Sequence, residues 1–242
     1  MSEPGEAATL GIIGGAGVGA SARLYADVAA RYRAMRGRLP RIALWNAPFS
    51  DALEHAFVGG EPDAEEVVAA ELLVGQAVER LLDAGATVVA MPCNSLQRAA
   101  AREAARRGAP FIDMIAATLD AVSGSGHGSA VLLSTEATRV AGIYEGRGVE
   151  ILAPPAELRE ELAVLIGRVV EGSTAGGGEL QSLVARARRP SASVVIGCTD
   201  ICGLLDSDEG SAAQVVDSLA CLTTRCVEAL TVGVSITAYT GA

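Results

Sequence analysis

Two short segments of the chain place a cysteine in the same setting. The first reads VVAMPCNS over residues 88–95, and the second reads SVVIGCTD over residues 193–200. In each, a run of small apolar residues typical of a buried strand leads through Pro or Gly to a cysteine, Cys93 or Cys198, and then to small polar residues that could open a helix. Because ligands bind at the carboxyl ends of parallel strands, this repeated pattern predicts that the two thiols face each other across one cleft.

Two thiols that face each other across a substrate carbon can carry out proton transfer. One sulfur removes a proton from one face of a planar carbanion, and the other returns a proton to the opposite face. A helix N-terminus lowers the pKa of a thiol toward neutrality, and we expect this effect at both Cys93 and Cys198. Racemisation or epimerisation by this route needs no cofactor. A single strand-end cysteine is more often just a small buried side chain, but the repeated context favours catalysis.

The polar residues beside the cysteines could hold the substrate. Asn94 and Ser95 follow the first cysteine, and Thr199 and Asp200 follow the second. Such residues cap helices, and the N–H groups of these segments could bind a carboxylate.

The composition excludes several other function classes. The chain has 242 residues, and its 19 basic residues are all arginine. Without lysine there is neither a pyridoxal phosphate Schiff base nor a P-loop. The net charge of −10 disfavours nucleic acid as a partner. No spacing of histidines and cysteines predicts a metal site.

The same reading predicts a cytoplasmic protein. The N-terminal segment MSEPGEAA is acidic, unlike a secretory signal, and no apolar run is long enough for a membrane helix. The five cysteines show no disulfide spacing, which fits a reducing compartment.

The elements that must position the cysteines follow a βα alternation, which predicts an α/β fold with parallel sheets. The predicted strands cover residues 9–14, 41–46, 87–91, 110–113, 130–134, 149–153, 193–196 and 215–216. The predicted helices cover residues 19–35, 63–83, 95–107, 115–122, 156–171, 178–188 and 218–230.

A Gly/Ser-rich stretch at residues 123–129 divides this pattern into two similar halves. We expect a first α/β domain over residues 1–122 and a second over residues 128–213. Each would have a central parallel sheet flanked by helices, with the active site in the cleft between them. The C-terminal segment, residues 214–242, would pack back on the first domain.

Four segments carry a family resemblance: GIIGGAGVGAS near the N-terminus, MPCNS, LLSTEATRVAGIYEGRGVEI and IGCTDI. With them the chain resembles the cofactor-independent aspartate/glutamate racemase superfamily and is most similar to its aspartate racemase branch. The resemblance implies the two-domain fold, a homodimer, a small carboxylate substrate and no cofactor. It also implies that Cys93 and Cys198 are the acid/base pair. The substrate-binding residues we expect are Gly15, Ala16, Asn46, Asn94, Ser95, Thr135, Thr138 and Thr199.

Departures from the family pattern concern the substrate. Gln97 stands where members often have histidine, Leu53 and Glu54 lie where aspartate racemases commonly have arginine, and Thr174 stands where a lysine is frequent. The cationic anchors of a dicarboxylate are therefore missing, unless Arg23 reaches the site, and free aspartate is a doubtful substrate. Two alternatives stay open: a related two-cysteine isomerase, similar to maleate isomerase or hydantoin racemase, and a catalytically silent binding protein.

Overall fold

Two parallel sheets form the framework of the protein. The computed structural model describes residues 8–59, 62–205 and 214–232. The first sheet has the order β2-β1-β3 and the second has the order β5-β4-β6-β7, with every pairing parallel. The strands are β1 (Thr9–Gly14), β2 (Arg41–Asn46), β3 (Val88–Ala90), β4 (Ser129–Leu133), β5 (Glu150–Leu152), β6 (Ala192–Ile196) and β7 (Val215–Asp217).

Helices connect these strands and cover the sheets, as parallel pairing requires. In the described part of the chain they are α1 (Val18–Arg36), α2 (Asp51–Gly59), α3 (Ala64–Asp83), α4 (Gln97–Arg106), α5 (Met114–Gly124), α6 (Glu136–Val140), α7 (Ala156–Val170), α8 (Gly177–Ala187) and α9 (Ser218–Val232). No helix among the described residues is long and apolar enough to span a lipid bilayer.

The largest hydrophobic core runs through both sheets. It contains Leu10 and Ile12 from β1 together with Val131 and Leu133 from β4, all of them buried. Full burial of such a side chain stabilises the fold by about 1.5–3 kcal/mol. Because the core is shared, the ends of the two sheets are held in a fixed relation, which a site between them requires.

The C-terminal part of the chain joins the two halves. β7 pairs with β6 in the second sheet, and α9 then packs against α1 and α5. Arg225 of α9 forms an ion pair with Asp120 of α5 at 2.5 Å. The sequence predicts that the C-terminal segment packs on the first domain. The contacts of α9 with α1 and α5 agree with that prediction. The domain boundaries themselves stay a prediction, and residues 233–242 lie outside the described residues.

The predicted α/β class with parallel sheets is confirmed, with three local differences. The sequence did not predict α2 or α6, which are short helices. The expected strand at 110–113 is a single parallel bridge between Val89 and Phe111, because Pro110 has no N–H to donate and Asp113 already caps α5 by accepting from the N–H of Ala116. These differences leave the two sheets unchanged.

Candidate active site

Cys93 and Cys198 line the same cavity. Cys93 follows β3 and Cys198 follows β6, so each thiol lies past the carboxyl end of a parallel strand. The cavity has a volume of about 40 Å³, which is room for a few water molecules. Its walls come from the loops after β1, β2, β3, β4 and β6, from α2, and from the end of α7.

Cys93 lies deep in the protein, with part of its surface open to the cavity. Its Sγ is 3.4 Å from the hydroxyl of Ser95. Burial raises the pKa of the thiol to about 11, although the Ser95 hydroxyl and the backbone N–H groups of Leu96 and Ser95 act in the opposite direction. The resting group at neutral pH is therefore a neutral thiol.

Cys198 lies beside a carboxylic acid, Asp200, whereas Cys93 lies beside a hydroxyl group. Its side chain is only 4% exposed, and its Sγ donates to Oδ2 of Asp200 across a long contact of 3.9 Å. Burial, followed by the charge of Asp200, raises the pKa of Cys198 well above its ordinary value. The N–H groups of Asp200 and Ile201 offset only part of this effect.

The expectation of lowered thiol pKa values is thus wrong for both cysteines. It assumed a helix starting directly after each one. Residues 199–205 form turns and bends instead, and α4 begins only at Gln97, four residues beyond Cys93. Without an adjacent helix N-terminus, the desolvation of each sulfur decides the direction of the shift.

Two carboxylates share the cavity with the thiols. The side chain of Asp200 is largely buried, and its pKa is raised to about 6, first by burial and then by the charge of Glu54. Glu54 reaches the site from α2 and accepts the N–H of Gly17 at 3.1 Å through Oε1. Gly17 has a φ of 78°, and a Cβ placed there would lie 2.6 Å from Oδ1 of Asp200. Only glycine fits between these two acids.

The side chain of Asn94 is occupied by structural hydrogen bonds. Its Oδ1 accepts from the hydroxyl of Tyr144 at 2.5 Å, and its Nδ2 donates to the hydroxyl of Ser218 at 3.3 Å. Tyr144 belongs to the second half of the chain and is 1% exposed, and Ser218 opens α9. Asn94 therefore links three parts of the chain behind Cys93.

The predicted threonines also bond to protein groups. Thr199 donates its hydroxyl to the carbonyl of Pro92 at 2.8 Å. The hydroxyl of Thr135 donates to that of Thr138 at 3.0 Å and accepts the N–H of Thr138 at 3.2 Å, which caps α6. Of these three hydroxyls, that of Thr138 is the one that donates to no protein group in the described part of the chain.

Most of the predicted site residues meet at this cavity. Those on its walls are Ala16, Cys93, Asn94, Ser95, Thr135, Thr138, Cys198 and Thr199. Gly15 and Asn46 are not brought to it. Gly15 has a φ of 113° and packs so closely on Ala47 that a Cβ would lie 2.1 Å from the Ala47 carbonyl oxygen. Asn46 ends β2, and its side chain is exposed.

The model of the Asp/Glu/Hydantoin racemase family matches residues 13–226. The chain belongs to the Asp/Glu/hydantoin racemase family. The resemblance inferred from the cysteine motifs is thereby confirmed, and the family assignment makes the chain an isomerase.

Three solved structures show how widely this fold is shared. A candidate Asp/Glu racemase from Yersinia pestis has a TM-score of 0.74 at 20% identity, covering 92% of this chain and 99% of its own. The aspartate racemase of Picrophilus torridus has a TM-score of 0.68 at 20% identity, covering 92% and 94% respectively. The maleate isomerase Iso from Pseudomonas putida S16 has a TM-score of 0.61 at 15% identity, covering 93% of each chain. The predicted two-part α/β fold is confirmed by these likenesses.

In this member of the racemase family, Gln97 has a structural task. Its Nε2 donates to the carbonyl of Met91 at 2.6 Å and to that of Cys93 at 3.1 Å. Its Oε1 accepts the N–H of Met114 at 3.1 Å. The residue that replaces the expected histidine therefore holds the turn bearing Cys93 against the start of α5.

Residues missed at the sequence level come mainly from α2 and the loop before it. Phe49, Leu53, Glu54 and Phe57 form one wall of the cavity. The signal for this helix was present: the hydroxyl of Ser50 caps it by accepting the N–H of Leu53, and the apolar pair Leu53 and Phe57 has helical spacing. α2 packs against α6 and α7 and so closes the first half over the second.

A second, larger cavity adjoins the first. Its volume is about 580 Å³, and its walls include Arg23 and Thr174. The residues common to the two cavities are Gly17, Glu54, Val170, Thr199 and Asp200. The site therefore consists of a small cavity at the thiols and a larger cavity next to it, and Glu54 and Asp200 lie where the two meet.

Proposed function

We propose that this family member is a cofactor-independent racemase or epimerase of an α-amino acid or a related α-substituted acid. In this proposal Cys93 and Cys198 are the two catalytic acid/base groups. The observation that carries it is the placement of two thiols that form no disulfide, each past a strand end, on the walls of one cavity. Each thiol accepts from backbone N–H groups of its own turn, which supports a thiolate at that position.

The raised thiol pKa values suit this reaction. An α-proton is weakly acidic, so a desolvated thiolate of high basicity is an effective acceptor once it has formed. Asp200 is ionised above pH 6 or so and lies beside Cys198, so it can receive that thiol's proton on the way to the reactive state. On the other side, the hydroxyl of Ser95 and the N–H groups of the turn stabilise a Cys93 thiolate.

The proton balance defines two forms of the enzyme. In one, the Cys198 thiolate removes the α-proton and the Cys93 thiol protonates the opposite face of the carbanion. When the product enantiomer leaves, Cys198 is a thiol and Cys93 is a thiolate. This second form of the enzyme carries out the reverse reaction, starting from the product enantiomer. No net proton is consumed, and no cofactor takes part.

The substrate carboxylate would be bound by neutral donors. Among the described residues that line the thiol cavity there is no arginine or histidine. We assign the carboxylate to the hydroxyls of Ser95 and Thr138 and to backbone N–H groups of the loops that bear the cysteines. Asn94, Thr135 and Thr199 then serve by fixing those loops, since their side chains are already bonded to the protein.

The experiment that tests the proposal is loss of the α-proton in D2O, followed by NMR over a panel of amino acids. Cys93→Ser and Cys198→Ser are the decisive variants. Loss of racemisation in both variants, with α-proton exchange lost for one enantiomer in each, supports the two-base reaction. Absence of exchange with every amino acid, together with thiols that do not react with alkylating agents, would favour a silent binding protein.

A related isomerase is the second candidate. The two thiols have unequal surroundings, a neutral hydroxyl beside Cys93 and a carboxylate beside Cys198, which also suits a reaction with one nucleophilic cysteine. The maleate isomerase named above has the same fold. Isomerisation of an unsaturated diacid without α-proton exchange, with a single cysteine trapped by alkylation, would identify this reaction.

We further propose that the enzyme works as a cytoplasmic homodimer. The five cysteines are all free, which fits a reducing compartment. Light scattering tests the dimer by giving a mass twice that of the 24.5 kDa chain.

A further inference from the structure

The charge on the walls of the thiol cavity is opposite to the charge that would bind a dicarboxylate. Among the described residues lining it, Glu54 and Asp200 are the ones with charged side chains, and both are acids. The cavity is a reaction site on separate grounds, because it holds both thiols. The acids therefore bear on which substrate can enter it.

These two acids face each other without a compensating cation. Glu54 accepts the N–H of Gly17, and Asp200 accepts the thiol of Cys198. Neither forms an ion pair with an arginine in the described part of the chain. The charge of Glu54 even raises the pKa of Asp200. A positive group brought between them would relieve this repulsion.

The positions of Glu54 and Asp200 indicate which part of a bound substrate would contact them. The thiol cavity, at about 40 Å³, can hold little beyond a reacting carbon and its immediate groups. A longer side chain must extend into the adjoining cavity of about 580 Å³. Glu54 and Asp200 line both cavities, so that side chain passes directly beside them. Phe57 and Leu53 line the thiol cavity beside Glu54 and offer apolar contact to methylene groups.

Arg23 does not reverse this charge pattern. It lines the larger cavity and not the thiol cavity, and its Nε is 3.6 Å from Oδ2 of Asp27. Its guanidinium lies against Gly203, where a Cβ would be 1.5 Å from Nη1. The side-chain carboxylate of a substrate whose α-carbon lies at the thiols would have to extend past Glu54 and Asp200 to meet Arg23, and like charges disfavour that placement.

Resting on the function proposed above, we infer that the substrate is an α-amino acid with a cationic side chain. Glu54 is the residue that selects it, by pairing with the side-chain cation at the junction of the two cavities. Asp200 adds negative potential there as long as it is ionised, before it takes the proton of Cys198. Basic amino acids of the ornithine or arginine type have this chemistry, and dicarboxylic amino acids have the opposite one.

The test compares substrates and one variant. α-Proton exchange in D2O is measured for ornithine and arginine, for norvaline as a neutral analogue of ornithine, and for aspartate and glutamate. The variant is Glu54→Gln, which retains the shape of the side chain. Asp51→Asn is the matched control, because Asp51 is an exposed acid on the same helix and does not line the cavity.

We expect ornithine or arginine to exceed norvaline in kcat/KM, and both dicarboxylates to be the poorest substrates. Glu54→Gln should lower kcat/KM for the basic substrates by about 10- to 100-fold more than for norvaline, because only the basic substrates lose a hydrogen bond between charged groups. Asp51→Asn should change neither.

Two results would overturn the inference while leaving the proposed function intact. One is faster exchange with a dicarboxylate than with ornithine and arginine. The other is an equal loss on all amino acids in Glu54→Gln, which would assign Glu54 to the α-ammonium group. Exchange with no amino acid at all would instead contradict the proposed function itself.

Discussion

Thr199, the residue after Cys198, donates its hydroxyl hydrogen to the carbonyl of Pro92, the residue before Cys93, at 2.8 Å. The bond is buried and spans 107 positions of the chain. It joins the loops that carry the two thiols, one from each half of the molecule. The distance between the two proposed acid/base groups is thus tied to a buried side-chain hydrogen bond.

Thr199→Val should lower both stability and activity. The variant retains the shape of the side chain but leaves the buried Pro92 carbonyl without its donor, which costs about 1–3 kcal/mol in the free energy of unfolding. Small displacements of reacting groups cost up to about 100-fold in rate, so kcat should fall more than KM changes. Urea unfolding and exchange kinetics measure the two effects. Thr199→Ser is the control, and equal kcat values for wild type and Thr199→Val would contradict the positioning role.

Tyr144→Phe should weaken the site from a distance. Its hydroxyl is the donor to Oδ1 of Asn94, and the group is fully buried, so its loss leaves a buried amide oxygen unpaired. We expect a loss of about 1–3 kcal/mol in the free energy of unfolding, together with a lower kcat. Tyr32→Phe serves as a control for a buried tyrosine that lies on α1, away from Asn94. If Tyr144→Phe unfolds and reacts like wild type, the bond has no role.

Asp200→Asn should stabilise the protein near neutral pH. The folded pKa of Asp200 is raised to about 6, above its ordinary value of 3.8. Its contribution to stability is therefore fully present below pH 4 or so and is lost as the pH rises through about 6. Two pKa units correspond to about 3 kcal/mol, which partial exposure reduces to about 2 kcal/mol. Urea unfolding at pH 4 and pH 8 should show this decline in wild type and not in Asp200→Asn.

The same group should appear in the pH dependence of activity. If ionised Asp200 receives the proton of Cys198, kcat/KM falls as the pH drops below about 6. Asp200→Asn should lose activity and lose this acid limb as well. The measurement is the dependence of kcat/KM on pH from 4.5 to 9. If Asp200→Asn shows the same fall in kcat/KM at low pH as wild type, another group is responsible for that fall.

Much of the fold could be predicted from local sequence pattern. β1 and β2 have the predicted bounds, because each is an apolar run closed by a turn signal. The sequence did not predict α2, because its apolar face is short and its residues are also typical of a loop. The meeting of Cys93 and Cys198 at one cavity was predictable because each follows the carboxyl end of a buried strand, β3 in the first sheet and β6 in the second.

The chemistry of the site was harder to predict than its location. The direction of the thiol pKa shifts depends on burial and on where α4 begins, and neither is fixed by the residues next to the cysteines. The bonds that occupy Asn94 come from Tyr144 and Ser218, which are distant in sequence. Glu54 was noticed only as a departure from a family pattern, and its contact with Gly17 requires the folded helix α2.

In the proposed reaction, Cys93 and Cys198 exchange a proton with one carbon from opposite faces. The most direct measurement is α-proton exchange in D2O, starting separately from each enantiomer of a basic amino acid, with wild type, Cys93→Ser and Cys198→Ser. We expect wild type to exchange and racemise both enantiomers, and each variant to lose racemisation by about 10²- to 10⁴-fold. Racemisation at the wild-type rate in either variant would contradict it.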